Sequence, residues 1–149
     1  MTEFTFRNAK DGDFELSFEI RKNALGKYVE QTWGWDENRQ WKYHKDDFNP
    51  AILKIIEVGN EPAGTLENYA EDNSMIVSGL YIINKFQNQG IGTRVMNSII
   101  SDASAVSANI MLQVLKVNPK AKALYERLGF TVYETTDTHF KMIYKPVEK

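Results

Sequence analysis

The chain has 149 residues, 42% hydrophobic and 26% charged, with a formal net charge of −2. That length encloses a real core, so a single globular domain over residues 1–149 is expected. There is no cysteine, which excludes a disulfide scaffold, a thiolate zinc site and a cysteine nucleophile. With only His44 and His139 to offer imidazole, neither a metal site nor a Ser–His–Asp triad is expected. His44 sits among the charges of Lys42–Asp47 and reads as part of a solvated helix face. The first residues lack a basic start followed by an apolar run, and no stretch approaches the ~20 apolar residues that span a bilayer. A cytoplasmic protein is expected. Residues 1–75 carry a net charge of −6 and residues 76–149 a net of +4. An acidic half suits a cationic partner and a basic half an anionic one. With a pI near 5.7, a nucleic-acid partner is not expected.

Phe4–Arg7 reads as a first strand. A helix follows from about Asp11 to Tyr28, with apolar positions at Phe14, Phe18, Leu25 and Tyr28 and a cap at Asp11 or Asp13. Gln31–Trp35 is expected to break it. Asp36 caps a second helix to about Asp47, stopped by Asn49-Pro50. Ala51–Val58 and Ala63–Glu71 form a hairpin around Gly59–Pro62. Met75–Ile83 is nearly continuously apolar, as in a strand covered on both faces, and Gly79 inside it suggests a bulge. Thr93–Val106 is helical, with a stripe of Val95, Met96, Ile99, Ile100, Ala103 and Val106. Asn109–Val117 is a strand, Pro119–Leu128 a helix, and Thr131–Thr135 with Phe140–Lys145 a closing hairpin. The order implies a mixed α/β sandwich around one sheet.

Between a strong strand and a strong helix stands Gln87-Asn88-Gln89-Gly90-Ile91-Gly92-Thr93. Glycine lets backbone N–H groups turn toward a ligand, and a helix start adds unpaired N–H groups and a positive dipole end. Together these suit a phosphate. No Gly-Lys-Ser/Thr follows, so it is not a P-loop, and it lacks the third glycine of a dinucleotide fingerprint. Further on, Asn118-Pro119 opens a helix, Tyr125 lies within it and Gly129-Phe130 closes it. On local grounds alone Asn118 caps and Tyr125 packs.

The Gln-x-x-Gly-x-Gly spacing, the preceding Gly79–Ile83 strand and the 117–130 segment, in that order, resemble the cofactor motifs of the GNAT acetyltransferase superfamily. The resemblance implies a mostly antiparallel central sheet flanked by helices. It also implies transfer of an acetyl group from acetyl-coenzyme A to a primary amine, by direct attack in a ternary complex. By similarity, Gln89, Gly90, Gly92 and Thr93, with help from Asn88, hold the pyrophosphate, and Gln87 shapes the loop. Ile82 pairs through its backbone with the pantetheine arm, and Asn118 contacts that arm. The Leu80 N–H polarises the acetyl carbonyl, and Tyr125 protonates the leaving thiolate. Histone-type members carry a glutamate base where this chain has Ile76. Glu67 and Glu30 are the substitutes, alongside a water relay or an amine that arrives neutral. Tyr28, Trp33, Trp35 and Trp41, with Glu30, Asp36 and Glu37, either line an acceptor pocket for a cationic amine or staple the helices to the sheet. A non-catalytic acyl-coenzyme A module of the same fold is the alternative to an enzyme. The acceptor's identity, the acyl length and the oligomeric state are left open.

Overall fold

The computed structural model describes residues 2–147. They form strands β1 (Thr5–Asn8), β2 (Leu53–Val58), β3 (Glu61–Glu71), β4 (Ser74–Ile82), β5 (Asn109–Leu115), β6 (Thr131–Thr135) and β7 (His139–Tyr144). The helices are α1 (Phe14–Trp33), α2 (Glu37–Asp47), α3 (Ile91–Ala105) and α4 (Pro119–Arg127). The strand order is β1-β2-β3-β4-β5-β7-β6. β4 and β5 are parallel, whereas β1–β2, β2–β3, β5–β7 and β6–β7 are antiparallel. The sheet is therefore mixed and mostly antiparallel. The chain divides into two compact units, residues 2–67 with 79–91 and residues 68–78 with 92–147.

In the first unit Leu53 and Ile55 of β2 lie opposite Glu67 and Thr65 of β3. Leu53 and Ile55 are buried with Ala9, against Leu16 of α1 and Phe48 just after α2. The two helices dock through aromatic edges. Trp41 meets Phe14 at 4.8 Å and Phe18 at 4.9 Å, both edge-on. His44 joins this cluster, contrary to the solvated face expected for it. Its ring lies 5.0 Å from Phe14 and 5.6 Å from Phe18, and its Nε2 is 2.6 Å from Ser17 Oγ. Burial there pushes its pKa down.

α1 runs further than expected. Gln31, Thr32 and Trp33 stay helical, and the stop is Gly34, which takes φ +80° and donates its N–H to the Glu30 carbonyl at 2.9 Å. Asp36 caps α2 as expected, accepting the Arg39 N–H at 3.0 Å. Asp13 occupies the position before α1, but its carboxylate turns backward. It accepts the Lys10 N–H at 2.8 Å and two bonds from the Arg7 guanidinium at 2.8 and 2.9 Å. The bond to Arg7 is the largest reason its pKa falls from 3.8 to about 2. A depressed carboxylate pKa adds stability above the unfolded value and loses it as pH falls toward the folded one. Asp13→Asn should therefore melt below the wild type at pH 7. The gap should close between pH 4 and pH 2, read by thermal melts across that range. A pH-independent gap would contradict the ion-pair account.

The core of the second unit comes from α3, β5 and β7. Val95, Met96, Ile99 and Ala103 are buried, as are Ile110, Leu112, Val114, Leu115 and Met142. Val106 falls past the end of α3 and is exposed, so it does not belong to the expected stripe. β4 is not covered on both faces. Val77 is buried there, but Met75, Ile76, Leu80 and Ile82 keep part of their surface. The parallel ladder matches Ser74–Ile76 with Asn109–Met111. Among the described residues no helix is long and apolar enough to cross a membrane.

Candidate active site

In the first unit, β4 leads into the glycine turn. The Ile83 N–H donates to the Ala63 carbonyl at 2.9 Å, which continues the edge of β3. A 3₁₀ turn over Asn84–Phe86 follows, with Phe86 buried and the Asn84 N–H held by Asn23 Oδ1 of α1 at 2.8 Å. Gln87 then folds back, its Nε2 donating to the Ile82 carbonyl at 2.8 Å. Gln87 thus ties the turn to the end of β4 and occupies the Ile82 carbonyl there. Gln89 donates to the Lys85 carbonyl at 3.2 Å and accepts from Thr2 at 2.7 Å.

The backbone at Asn88 and Gly90 is left-handed, at φ +64° and +80°. Such residues turn successive N–H groups toward one side, the geometry of an anion nest. α3 begins at Ile91, two residues earlier than expected, because the Ile91 side chain is buried and pulls the turn into the core. Gly92 and Thr93 thus lie in the first helical turn. The N–H groups of Gly90, Ile91, Gly92 and Thr93 are the four that a helix leaves without an intrahelical partner. A Cβ on Gly92 would meet only Leu124 Cδ2, at 3.9 Å. These features fit a pyrophosphate-sized anion.

In the second unit, α4 is built as its sequence prescribes. Asn118 Oδ1 accepts the Ala121 N–H at 3.2 Å, and Pro119 opens the helix. At the other end Gly129 takes φ +102°. The Gly129 N–H bonds the Glu126 carbonyl at 3.1 Å, and the Phe130 N–H bonds the Tyr125 carbonyl at 3.0 Å. This is a Schellman closure, and its customary apolar contact is the Tyr125–Phe130 ring pair, edge-on at 5.6 Å. Phe130 rests on Tyr144 at 5.5 Å. The motif that ends the helix thereby also fixes the ring of Tyr125, which is only 8% exposed.

The aromatic and acidic residues of the first helices have separate employments. Trp35 lies over Gly26 of α1, and its Nε1 donates to Glu37 at 2.9 Å. Glu37 also pairs with Lys22 at 2.7 Å, while Asp36 caps α2. Trp35 and Trp41 thus pack on α1. Trp33 is 56% exposed, Glu30 is exposed, and Glu67 on β3 is half-buried. One group was missed from the sequence. Arg21 of α1 donates to Gln40 of α2 at 3.0 Å and acts electrostatically on the Tyr81 hydroxyl of β4.

The sequence matches the model of the GNAT acetyltransferase family over residues 18–130. This chain belongs to the GNAT family. It is accordingly an acetyl-coenzyme A-dependent N-acetyltransferase, and its acceptor is an amine. Solved structures agree on the fold. The chain is similar to the PaiA N-acetyltransferase of Thermoplasma acidophilum, crystallised in complex with coenzyme A. The TM-score is 0.77 at 15% identity, covering 96% of this chain and 99% of that one. It is also similar to PH1933 of Pyrococcus horikoshii, with TM-score 0.76, 17% identity and coverage of 98% and 100%. The ribosomal-protein-S18-alanine N-acetyltransferase of Escherichia coli gives TM-score 0.72, 16% identity and coverage of 99% and 96%.

Proposed function

We propose that this GNAT member transfers acetyl directly from acetyl-coenzyme A to a primary amine in a ternary complex. The observation that carries the reading is the Gln87–Thr93 turn, where two left-handed residues run into the start of α3. Its N–H groups at Gln89, Gly90, Gly92 and Thr93, with Asn88, are assigned to the pyrophosphate. Ile82 and Asn118 are assigned to the pantetheine arm, though Asn118 Oδ1 is already committed to its cap. The Leu80 N–H polarises the acetyl carbonyl and stabilises the oxyanion as the amine attacks. Tyr125 gives its proton to the departing thiolate. Direct transfer also suits a chain with no thiol to carry an acyl group. We place the protein in the cytoplasm as one functional domain. Trp33 and Glu30 remain the assigned acceptor-side residues of the α1 end, with Trp35 acting there through its hold on α1.

An amine panel tests this reading, followed by thiol release from acetyl-coenzyme A. It contains an alkylamine, a diamine, a free amino acid and peptides offering an α-amine or a lysine. Acetyl-dependent thiol release with at least one amine is expected. Silence across the panel would contradict transfer to a primary amine.

Gly92→Asp separates the anion seat from the fold. There is room for a Cβ, and a carboxylate in the first turn of a helix is mildly stabilising. The same charge repels a pyrophosphate. The variant should melt at or slightly above the wild type, yet bind acetyl-coenzyme A at least tenfold more weakly by calorimetry. Unchanged affinity would move the pyrophosphate elsewhere.

A further inference from the structure

Tyr81 follows Leu80 on β4 and lies along the strand instead of standing off it. A Cβ on Gly79 would meet the Tyr81 ring at 3.1 Å and its Oη at 3.4 Å. Glycine at 79 is thus what lets the ring fold back. Gly64 faces the Ile82 side chain, so Gly64 and Ile82 share one face of their strands. By alternation Tyr81 and Gly79 share the other, and on β3 so do Thr65 and Glu67. That face is the one α1 and α2 pack on, through Leu53, Ile55, Leu16 and Phe48.

A polar group is set into this packed layer. Arg21 acts electrostatically on the Tyr81 hydroxyl and donates to Gln40, which is 5% exposed. Glu67 and Asp47 both act electrostatically on the Tyr81 hydroxyl. Burial pushes the phenol's pKa up, so it keeps its proton at neutral pH. Burying the Tyr81 hydroxyl and the Gln40 amide costs desolvation that apolar side chains would not incur. Asp47 is exposed, so Arg21 and Glu67 are the charges set in the layer, and they balance. The Glu67 carboxylate is the group there that suits an ammonium or amine.

Arg21 can only donate, so toward its charge Tyr81 Oη turns one lone pair. The second lone pair can accept an N–H, and the O–H can be given to a carboxylate. We propose that Tyr81 and Glu67 relay the acceptor amine's proton, with Arg21 as a positioning residue. The proposal rests on the transfer reading above and supplies the base that Ile76 cannot be. The amine lone pair forms the N–C bond and the carbonyl π pair moves to oxygen. An N–H proton passes to Tyr81 Oη as the phenol's own proton passes to Glu67. The carbonyl re-forms, the C–S bond breaks, and the thiolate takes the proton of Tyr125.

The test uses wild type, Tyr81→Phe, Glu67→Gln, their double variant and Arg21→Lys, with the best acceptor from the amine panel. Tyr81→Phe and Glu67→Gln should each lower kcat by roughly 10²-fold. Acetyl-coenzyme A affinity by calorimetry and melting temperature should change little. The double variant should be no slower than the worse single, as for residues acting as one unit. Arg21→Lys should lower kcat less, with the acceptor's KM near the wild-type value. A Tyr81→Phe enzyme with wild-type kcat overturns the proposal, as do single effects that multiply in the double variant. Loss of melting temperature in proportion to lost rate would make the cluster a structural tie. If no amine in the panel is acetylated while acetyl-coenzyme A still binds, the transfer reading falls and this inference falls with it.

Discussion

Tyr125→Phe should fold, bind acetyl-coenzyme A with nearly wild-type affinity, and turn over roughly 10²–10⁴ times more slowly. The ring is held independently of its hydroxyl. The Schellman closure at Gly129 and Phe130 uses the Tyr125 carbonyl, and the contact with Phe130 is ring to ring. Phe keeps both and removes the hydroxyl. What is lost is the donor that meets the sulfur's charge as the carbon–sulfur bond breaks. A phenol O–H can give its proton to a departing thiolate. Cofactor affinity and kcat should be measured on one preparation. Unchanged kcat would return Tyr125 to packing alone, and lost affinity would make its hydroxyl an anchor.

Gly64→Ala should be the most damaging single methyl in the first unit. The added Cβ would collide with the Tyr81 carbonyl oxygen and stand 2.9 Å from Ile82 Cδ1. A backbone oxygen cannot rotate away as a side-chain tip does, so β3 and β4 must part locally. The cost should reach the upper range for overpacking, about 3 kcal/mol or more. For a chain of this length that is a fall of roughly 6–12 °C in Tm. Function should suffer as well. The Ile82 carbonyl holds Gln87 at the head of the glycine turn, so a displaced β4 should also weaken acetyl-coenzyme A binding. A variant that melts like the wild type would show that β4 tolerates the shift.

What could be read in the sequence was local. Asn118-Pro119 and Gly129-Phe130 each satisfy helix-end groups within a few residues, so the bonds that define α4 were implied by its own letters. Asp36 is similar. The start of α3 was misplaced by two residues because burial of Ile91 decided it, and glycines alone do not report burial. His44 was misread because its partners, Phe14, Phe18 and Ser17, lie 26 to 30 positions away in the chain. The Arg21–Gln40–Tyr81 group was invisible for the same reason. It exists only once two helices are laid on one sheet face. Whether Trp35 lines a pocket or staples a helix stayed open, because its place over Gly26 cannot be seen in a run of aromatic letters. β4 looked covered because a continuous apolar run does not say how far its neighbours extend.

The central claim, direct transfer in a ternary complex, is tested most directly by mixing enzyme at substrate-like concentration with acetyl-coenzyme A and following thiol on the millisecond scale. The run is made with and without the best acceptor amine, and the acetylated product is quantified alongside. Without amine, no burst of thiol is expected. With amine, thiol and acetyl-amine should appear together in equal amounts. A thiol burst equal to the enzyme concentration before any amine is added would reveal an acyl-enzyme and contradict direct attack.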